Sequence, residues 1–444
     1  KAHTGINFDS YDDIPVEGIE FIGLTFRHGN RYELAGLTGL GLQHDWELFD
    51  SPTAMLRLRG SKRCVIKDCA FYESGGTGVR LDLYAQFNRI VNNSFLDLGG
   101  GGVLLAGYGP GKKDVNKYNL VSHNTVRNIG TLWWHSIAIW AWQSGHNLIA
   151  NNTISDVPYT AIAVTGRISW DPKGKGESSR TVRWDEVAGY VGNEPWEQRE
   201  QFLHGRFNRI EHNDIRNVVT VMNDGNGIYI SGTGRQNKVR GNYIHDSPSE
   251  HPGEAIRCDD DQHETVIESN IVYRFGTLGT GLCSKGRNYF FNNIVALPPG
   301  RVKRGMLSLE PTKKGSCAGS VISNNIFYSI GPNQPLIFMR GMESEIEGIS
   351  IDCNIYFSKT DSQQWGQYLS RARSLGKEMN STQEDPLFED IENGIFRLKP
   401  ASPAIPLGFK QVGHLPGKID GIGCTDLGLK HPALLDNRNN LIGF

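Results

Sequence analysis

Two short acidic stretches in this sequence have the residue types that acid–base chemistry needs. Asp259 and Asp260 closely follow Arg257, and Asp224 stands between an asparagine and Gly225. Cleavage of a glycosidic bond requires one acid that protonates the leaving oxygen and one carboxylate that attacks or activates water. Crowded like charges raise the pKa of one carboxyl group, whereas a nearby cation lowers it. The two stretches are therefore candidates for such a pair.

The same acidic stretch can also be interpreted as a metal site. Carboxylate oxygens are hard ligands of the kind that Ca²⁺ prefers. A structural Ca²⁺ could be bound by Asp259, Asp260, Asp261 and Glu264. The seven cysteines never occur as Cys-x-x-Cys pairs, so we expect them to be structural. We predict no required cofactor and no other metal.

A short repeated pattern, polar-x-Ile-x-x-Asn-x-Ile, predicts the architecture that positions these residues. Successive copies are mostly 23 to 32 residues apart, which is typical of a solenoid. Apolar residues alternate with period two and are mainly Val, Ile and Phe, which favours strands over helices. We predict a right-handed parallel β-helix of about ten or more coils, in which the Asn side chains stack as an amide ladder. The repeated position is occupied by Cys69, Asn93, Asn124, Asn152, Asn213, Asn242, Asn270, Asn293, Asn325 and Asn354.

The breaks in this repeat predict the organisation of the chain. We expect a β-helix over residues 1–362, with lateral loops at about 27–50 and 167–206. Residues 363–444 lose the repeat and contain several prolines, so we predict an irregular cap that covers the C-terminal end of the solenoid.

A second strand in each coil predicts which side chains point outwards. It has the pattern small-apolar-x-apolar-x, and its inward positions are apolar in nearly all coils. The outward side chains form a charged and aromatic strip, which suits a sugar chain with apolar faces and hydroxyl edges. A solvated face with ion pairs between coils is the alternative. The outward positions are Arg80, Asp82, Ala106, Trp140, Trp142, Thr165, Tyr229, Ser231, Arg257, Asp259, Lys285, Glu310, Phe338 and Arg340.

Several segments resemble the β-helix enzymes of glycoside hydrolase family 141. They include Pro158-Tyr159-Thr160, Asp224-Gly225-Asn226-Gly227-Ile228-Tyr229 and residues 242–246, over a span of about 20–330. The chain differs from the usual family sequence at 255–260 and at 284–286. The resemblance implies that two acidic residues, Asp224 and Asp259, carry out glycoside hydrolysis.

The residues and the resemblance together predict a groove over the strip from Trp142 to Glu310. Asp224 and Asp259 are the expected catalytic pair, with Asp260 and Glu310 in reserve. The loop at 167–206 adds Trp170, Trp184 and Trp196 as surfaces for stacking on sugars. The predicted substrate-binding residues are His135, Trp142, Trp170, Tyr229, Arg257, Lys285 and Arg340.

Two other functions fit the same strip. A polysaccharide lyase would use Lys285 as base, with Arg257 or Arg340 at the uronate. A catalytically inactive carbohydrate-binding β-helix is the other alternative.

Composition narrows the range of partners. The formal net charge is −2, which does not favour nucleic acid or an anionic membrane, and no apolar run is long enough to span a membrane. We expect a secreted or periplasmic monomer that acts on carbohydrate. The chain begins with Lys1, and we expect a leader or another N-terminal segment to precede it.

Overall fold

The computed structural model contains three long parallel sheets that wind around one apolar interior. It describes residues 2–3, 13–31, 54–166, 186–187, 194–247, 253–276, 281–298, 305–312, 315–331, 337–339, 347–361, 363 and 365–413. Each coil contributes one strand to sheet A, then one to sheet B and one to sheet C. In the described part of the chain, sheets B and C have 11 strands each, which confirms the predicted β-helix and its number of coils.

Sheet A carries the predicted outward strip. Its strands are Ala2–His3, Val16–Glu17, Ala54–Lys62, Thr77–Gln86, Val103–Ala106, Asn116–Lys117, Ile139–Trp142, Ile162–Thr165, Asn226–Ser231, Glu254–Asp259, Leu282–Ser284, Leu307–Leu309 and Ile337–Met339. Neighbouring strands are in register, so Tyr229 pairs with Arg257 and Ser231 with Asp259. The alternation predicted from the sequence is confirmed, because Ile228 and Ile230 belong to the interior core.

Sheets B and C complete each coil. The strands of sheet B are Glu20–Ile22, Val65–Lys67, Arg89–Val91, Leu120–Ser122, Leu148–Ala150, Arg209–Glu211, Lys238–Arg240, Val266–Glu268, Tyr289–Phe291, Val321–Ser323 and Ser350–Asp352. Those of sheet C are Thr25–Arg27, Ala70–Ser74, Ser94–Leu98, Thr125–Ile129, Thr153–Val157, Asp214–Val218, Tyr243–Ser247, Ile271–Phe275, Ile294–Leu297, Ile326–Ser329 and Ile355–Ser358.

The predicted amide ladder runs along the turn between sheets B and C. The side-chain oxygen of Asn213 accepts from the backbone N–H of Asn152 at 3.0 Å and from its side-chain nitrogen at 2.9 Å. Asn213 in turn donates to Asn242, and the same contacts recur from Asn93 to Asn354. A second ladder, which we did not predict, joins Asn88, Asn119, Asn147, Asn208 and Asn237 at the turn between sheets A and B.

The predicted lateral loops lie partly outside the described residues. In the second loop, Trp196–Arg199 form a short α-helix and Glu200–Phe202 a 3₁₀ turn. Arg199 lies 2.7 Å from Asp261, and the indole of Trp196 donates to the carbonyl of Thr233 at 3.0 Å. This part of the loop therefore packs on the turns between sheets A and B. Within the described ranges, no helix is long and apolar enough to span a membrane.

The described residues of the C-terminal segment, up to 413, form two parts. The helix Gly366–Ser374 brings Leu369 against the interior core at the end of the solenoid. The strands Phe388–Asp390 and Ile395–Leu398, joined by the 3₁₀ turn Ile391–Asn393, form an antiparallel pair. Phe388 and Phe396 pack with Tyr243 and Tyr273 of sheet C. The segment thus covers both the end of the solenoid and an outer face, and it contains regular elements that the sequence did not predict.

Candidate active site

The outer face of sheet A is not the open groove that we predicted. Trp142 is 0% exposed and Trp140 is 2% exposed, and both pack with Tyr159 and Tyr229 in an apolar cluster. The indole of Trp140 donates to the hydroxyl of Thr165 at 2.8 Å. Strand alternation predicts which side of a sheet a residue occupies, but not whether that side is covered. Trp142 is therefore covered, where we had predicted a side chain exposed to a sugar.

Asp259 ends its strand as a buried carboxylate with several donors. Lys285 Nζ lies 2.6 Å from its Oδ1, and Arg257 Nε lies 3.0 Å from its Oδ2. The hydroxyl of Tyr229 donates to Oδ2 at 3.1 Å and the backbone N–H of Asp260 to Oδ1 at 2.8 Å. Burial acts to raise the pKa of Asp259, but the charges of Arg257 and Lys285 outweigh it and hold the pKa well below its usual range. The prediction that Lys285 lies one coil away, beside Asp259, is confirmed.

Arg257 connects Asp259 to the second candidate acid. Its Nη1 lies 2.9 Å from the carboxylate of Glu254 and 3.9 Å from Oδ1 of Asp224. The nitrogens of a guanidinium group are about 2.3 Å apart. The nearest oxygens of Asp224 and Asp259 are therefore at most about 9 Å apart, an upper limit that admits the separations of carboxylate pairs in glycoside hydrolases.

Asp224 reaches this position through the turn that precedes Asn226–Ser231. The turn is fixed by two hydrogen bonds, from Val219 N to Tyr159 O at 3.0 Å and from Met222 N to Pro158 O at 2.9 Å. A side chain at Gly225 would come within 2.9 Å of the ring of Tyr159. Glycine therefore allows the close approach that turns Asp224, with φ 64°, towards sheet A.

The side chain of Asp224 is 72% exposed, unlike that of Asp259. Protein around it still displaces part of its hydration, and this desolvation raises its pKa. The charge of Arg257 opposes the shift, whereas those of Asp259 and Glu254 add to it. The two candidate acids thus have pKa values shifted in opposite directions.

Tyr159 is a central residue of the site that we had not proposed for it. It is 1% exposed, and its ring meets His135 edge-on with 5.0 Å between centroids. Burial raises its pKa, and the charge of Asp224 acts in the same direction, so Tyr159 stays a neutral phenol. The available signal was the Pro158-Tyr159-Thr160 segment, which we used only as a family resemblance.

The reserve acids have other partners. The hydroxyl of Ser231 donates to Asp260, and that of Ser308 donates to Glu310 at 3.0 Å. Glu310 is 3% exposed and lies at the register position two coils beyond Asp259.

The four residues suggested for Ca²⁺ do not converge on one point. Asp261 contacts Arg199 and His263, and Glu264 lies 3.0 Å from Arg287. Within the described part of the chain, no group of three or more His, Cys, Asp or Glu side chains could hold a metal ion.

The predicted loop residues give a mixed result. Trp170, Trp184 and Arg340 lie outside the described residues. Trp196 is 2% exposed and packs on His263, so its predicted role in stacking on sugar is wrong.

Comparisons with known proteins support the fold. A family model described as the right handed beta helix region matches residues 4–154, in agreement with the predicted handedness. No curated protein matches the chain. The narrower resemblance to glycoside hydrolase family 141 stays a prediction.

Three solved structures are similar to parts of this chain at low identity. One described as a glycoside hydrolase is 17% identical with a TM-score of 0.39, over 53% of this chain and 37% of that one. A complex of XylC with xylose is 10% identical, with a TM-score of 0.34, over 76% and 50%. A mannuronic acid specific polysaccharide family 6 lyase from human gut microbiota is 11% identical, with a TM-score of 0.36, over 70% and 80%. This chain thus spans well under half of the first structure.

Proposed function

We propose that this protein is a glycoside hydrolase that cleaves a poly- or oligosaccharide with Asp224 and Asp259. The observation that carries the proposal is that one guanidinium, Arg257, lies beside two carboxyl groups whose pKa values are shifted in opposite directions. Pairs of titratable groups separated in this way are typical of acid and base roles.

Asp224 is the proton donor in this mechanism. Its raised pKa favours the protonated form, and its exposure gives a substrate access to the carboxyl group. The proton passes to the glycosidic oxygen as the bond to the anomeric carbon breaks, so that the leaving sugar departs as a neutral alcohol.

Asp259 is the ionised partner. Lys285, Arg257 and Tyr229 fix its two oxygens and keep the carboxylate charged. It either attacks the anomeric carbon or takes a proton from the attacking water. The limit of about 9 Å on the oxygen separation admits both mechanisms, and the anomeric configuration of the first product distinguishes them.

The first test removes the proposed proton donor. Asp224→Asn keeps the shape and the φ of 64° but cannot donate a proton, so we expect turnover to fall by several orders of magnitude. Asp97→Asn is the matched control, because Asp97 is also exposed and has φ 54°. The measurement is product release from a panel of plant and algal polysaccharides, with thermal denaturation to confirm folding. Equal activity of the two variants would show that Asp224 only caps its turn.

The second test replaces Asp259, and its control must be another buried aspartate that is paired with two cations. Asp82 is 1% exposed, lies on the same column of sheet A and contacts Arg57 and Arg80. Asp259→Asn and Asp82→Asn should lose comparable stability, but only Asp259→Asn should lose turnover. Equal loss of activity at equal folding would reject the role of Asp259.

The lyase alternative rests on the closeness of Lys285 and Arg257 to the same carboxylate. Both cations are paired with acids, whereas a lyase base must accept a proton. Product analysis separates the two reactions, because a lyase creates a carbon–carbon double bond that absorbs ultraviolet light. Such a product from a uronate polymer would overturn the hydrolase proposal.

A further inference from the structure

The three turns around Tyr159 form a surface of which the proposed mechanism uses only Asp224. They connect sheet C to sheet A in successive coils and comprise residues 130–138, 158–161 and 219–225. The middle turn is the shortest, and the outer two are attached to it. Gly130 is close enough to Pro158 that an added Cβ would lie 2.6 Å from its ring, and Met222 donates to the carbonyl of Pro158.

The first of these turns contains two tryptophans, of which Trp133 is fixed by hydrogen bonds to the protein and Trp134 is exposed. The indole of Trp133 donates to the carbonyl of Gly75 at 3.1 Å, and its backbone N–H donates to Gly99 at 2.9 Å. Next to this fixed residue, Trp134 is 54% exposed. Among the Phe, Trp and Tyr residues whose side-chain exposure is described, it alone is exposed. An exposed tryptophan on a rigidly attached turn loses little conformational entropy on binding, which suits a recognition residue.

The position of Trp134 relates it to the proposed active site. His135, its neighbour, contacts the ring of Tyr159. Gly225, the neighbour of Asp224, lies so close to the same ring that an added Cβ would be 2.9 Å from it. The turns that carry Trp134 and Asp224 are two coils apart, or about 10 Å along the axis. That distance is about the length of two pyranose rings.

The charge of this surface indicates the class of sugar. Across the three turns, Asp224 is the single Asp, Glu, Lys or Arg residue. A uronate or sulfated chain would find no cation in these turns and would meet a carboxyl group, which disfavours its binding. A neutral pyranose with an apolar face can stack on the indole and direct its hydroxyls to water.

We propose that Trp134 forms a stacking subsite for a neutral sugar ring, about two rings along the chain from the bond that is cleaved at Asp224. The saccharide then crosses the three turns along the solenoid axis, with the cleaved bond between Asp224 and Asp259, and does not lie over the covered Trp140 and Trp142. This inference rests on the proposed function for its register relative to the cleaved bond, but the binding itself does not require catalysis.

The test measures binding separately from hydrolysis. The Asp224→Asn variant is titrated calorimetrically with soluble xylan, galactomannan and mixed-linkage β-glucan, and with alginate as the anionic probe. Adding Trp134→Ala should weaken binding of a neutral polymer about ten- to a hundredfold, because a stacked aromatic side chain contributes that much to affinity. Trp134→Phe should retain most of the affinity.

Leu132→Ala is the matched control. Leu132 is in the same turn and is 49% exposed, but it has no aromatic face, so its removal should leave affinity within about twofold. Binding that is preferential for alginate would overturn the proposal. So would equal affinity of the Trp134→Ala and parent proteins, or a change in oligomeric state in place of a change in carbohydrate binding. The absence of binding to any neutral polymer would overturn it too.

The outcomes also separate this inference from the proposed function. If the unmodified protein hydrolyses a polysaccharide but KM and affinity do not change in Trp134→Ala, the subsite proposal is rejected and the hydrolase proposal stands. If a neutral polymer binds in a way that depends on Trp134 but no product forms, the subsite proposal stands and the hydrolase proposal is rejected.

Discussion

Asp224 and Asp259 show how the surroundings of a carboxyl group divide two chemical roles. Asp259 is buried but receives hydrogen bonds and charge from Arg257 and Lys285, so the ionised form is favoured. The pKa of Asp224 is raised mainly because desolvation disfavours its charged form, and the charges of Asp259 and Glu254 add to this effect against that of Arg257. Cations thus prevail over desolvation at Asp259, whereas desolvation prevails over the cations at Asp224.

These opposite shifts predict the shape of the pH profile. kcat/KM should fall on the alkaline side as Asp224 loses its proton, and this fall should lie above the ordinary range of an aspartic acid. On the acid side, kcat/KM should fall only below that range, because activity is lost when Asp259 takes up a proton and the pKa of Asp259 is lowered. The measurement is kcat/KM against pH for two substrates that contain the same accepted sugar, one with a poor and one with a good leaving group.

The leaving group provides the control for this prediction. A good leaving group needs no proton, so its alkaline fall should be weak and should disappear in Asp224→Asn. An unchanged alkaline fall in that variant would assign it to a group other than Asp224.

At the residue scale, the sequence predicted which side chains are neighbours better than it predicted which side chains are exposed. Register placed Lys285 beside Asp259, since side chains on successive coils lie one strand spacing apart. It could not show that Trp142 is covered, because the cover comes from residues distant in the sequence. Tyr159 was missed because it lies in a turn, where strand alternation makes no prediction.

At the scale of elements, the asparagine ladder ties each coil to the next. Asn213 is 0% exposed and exchanges hydrogen bonds with Asn152 and Asn242, and its side chain also donates to the carbonyl of Ile149. Every polar atom of its side chain is therefore paired inside the protein, where an unpaired group would be costly.

Replacing a ladder residue should destabilise the protein more than replacing a surface asparagine. Asn213→Ala removes the side-chain oxygen that accepts from Asn152 and the side-chain nitrogen that donates to Ile149, both in the interior, so we expect a loss of about 3 kcal/mol or more. Asn128→Ala is the control, because Asn128 is exposed, has φ 52° and makes one hydrogen bond to Asp97. It should lose about 1 kcal/mol. Denaturant unfolding measures both, and equal losses would mean that the ladder is not stabilising.

The sequence predicted the strands of the coils because their pattern repeats, but it did not predict the elements that occur once. Trp134 and the short helix Trp196–Arg199 both lie in segments without periodicity. Their positions depend on contacts that span coils, such as Trp133 with Gly75 and Arg199 with Asp261. The candidate site was therefore only partly predictable, since Asp224 and Trp134 are both in turns.

For the whole molecule, a solenoid has contacts mainly between neighbouring coils, so its end is the place where unfolding begins. Here the last coil is closed by Glu378, which is 0% exposed. Its carboxyl group accepts from the hydroxyls of Tyr356, Tyr368 and Ser381 and from the side chain of Asn354, the last member of the ladder. The C-terminal segment thus terminates the ladder with a single acidic residue.

Removing this acid should loosen the last coil without affecting the candidate site. Glu378→Ala leaves several buried donors unpaired, so amide exchange should accelerate in Ser350–Ser358. Asn226–Ser231 is four coils away and should keep its protection, and the rate of hydrolysis at low temperature should not change. Glu73→Ala is the matched control, because Glu73 has φ 53° against 52° for Glu378 but is exposed and pairs only with surface groups of the first coils. If exchange accelerated equally in all coils, the molecule would unfold as one cooperative unit, and its end would have no special role.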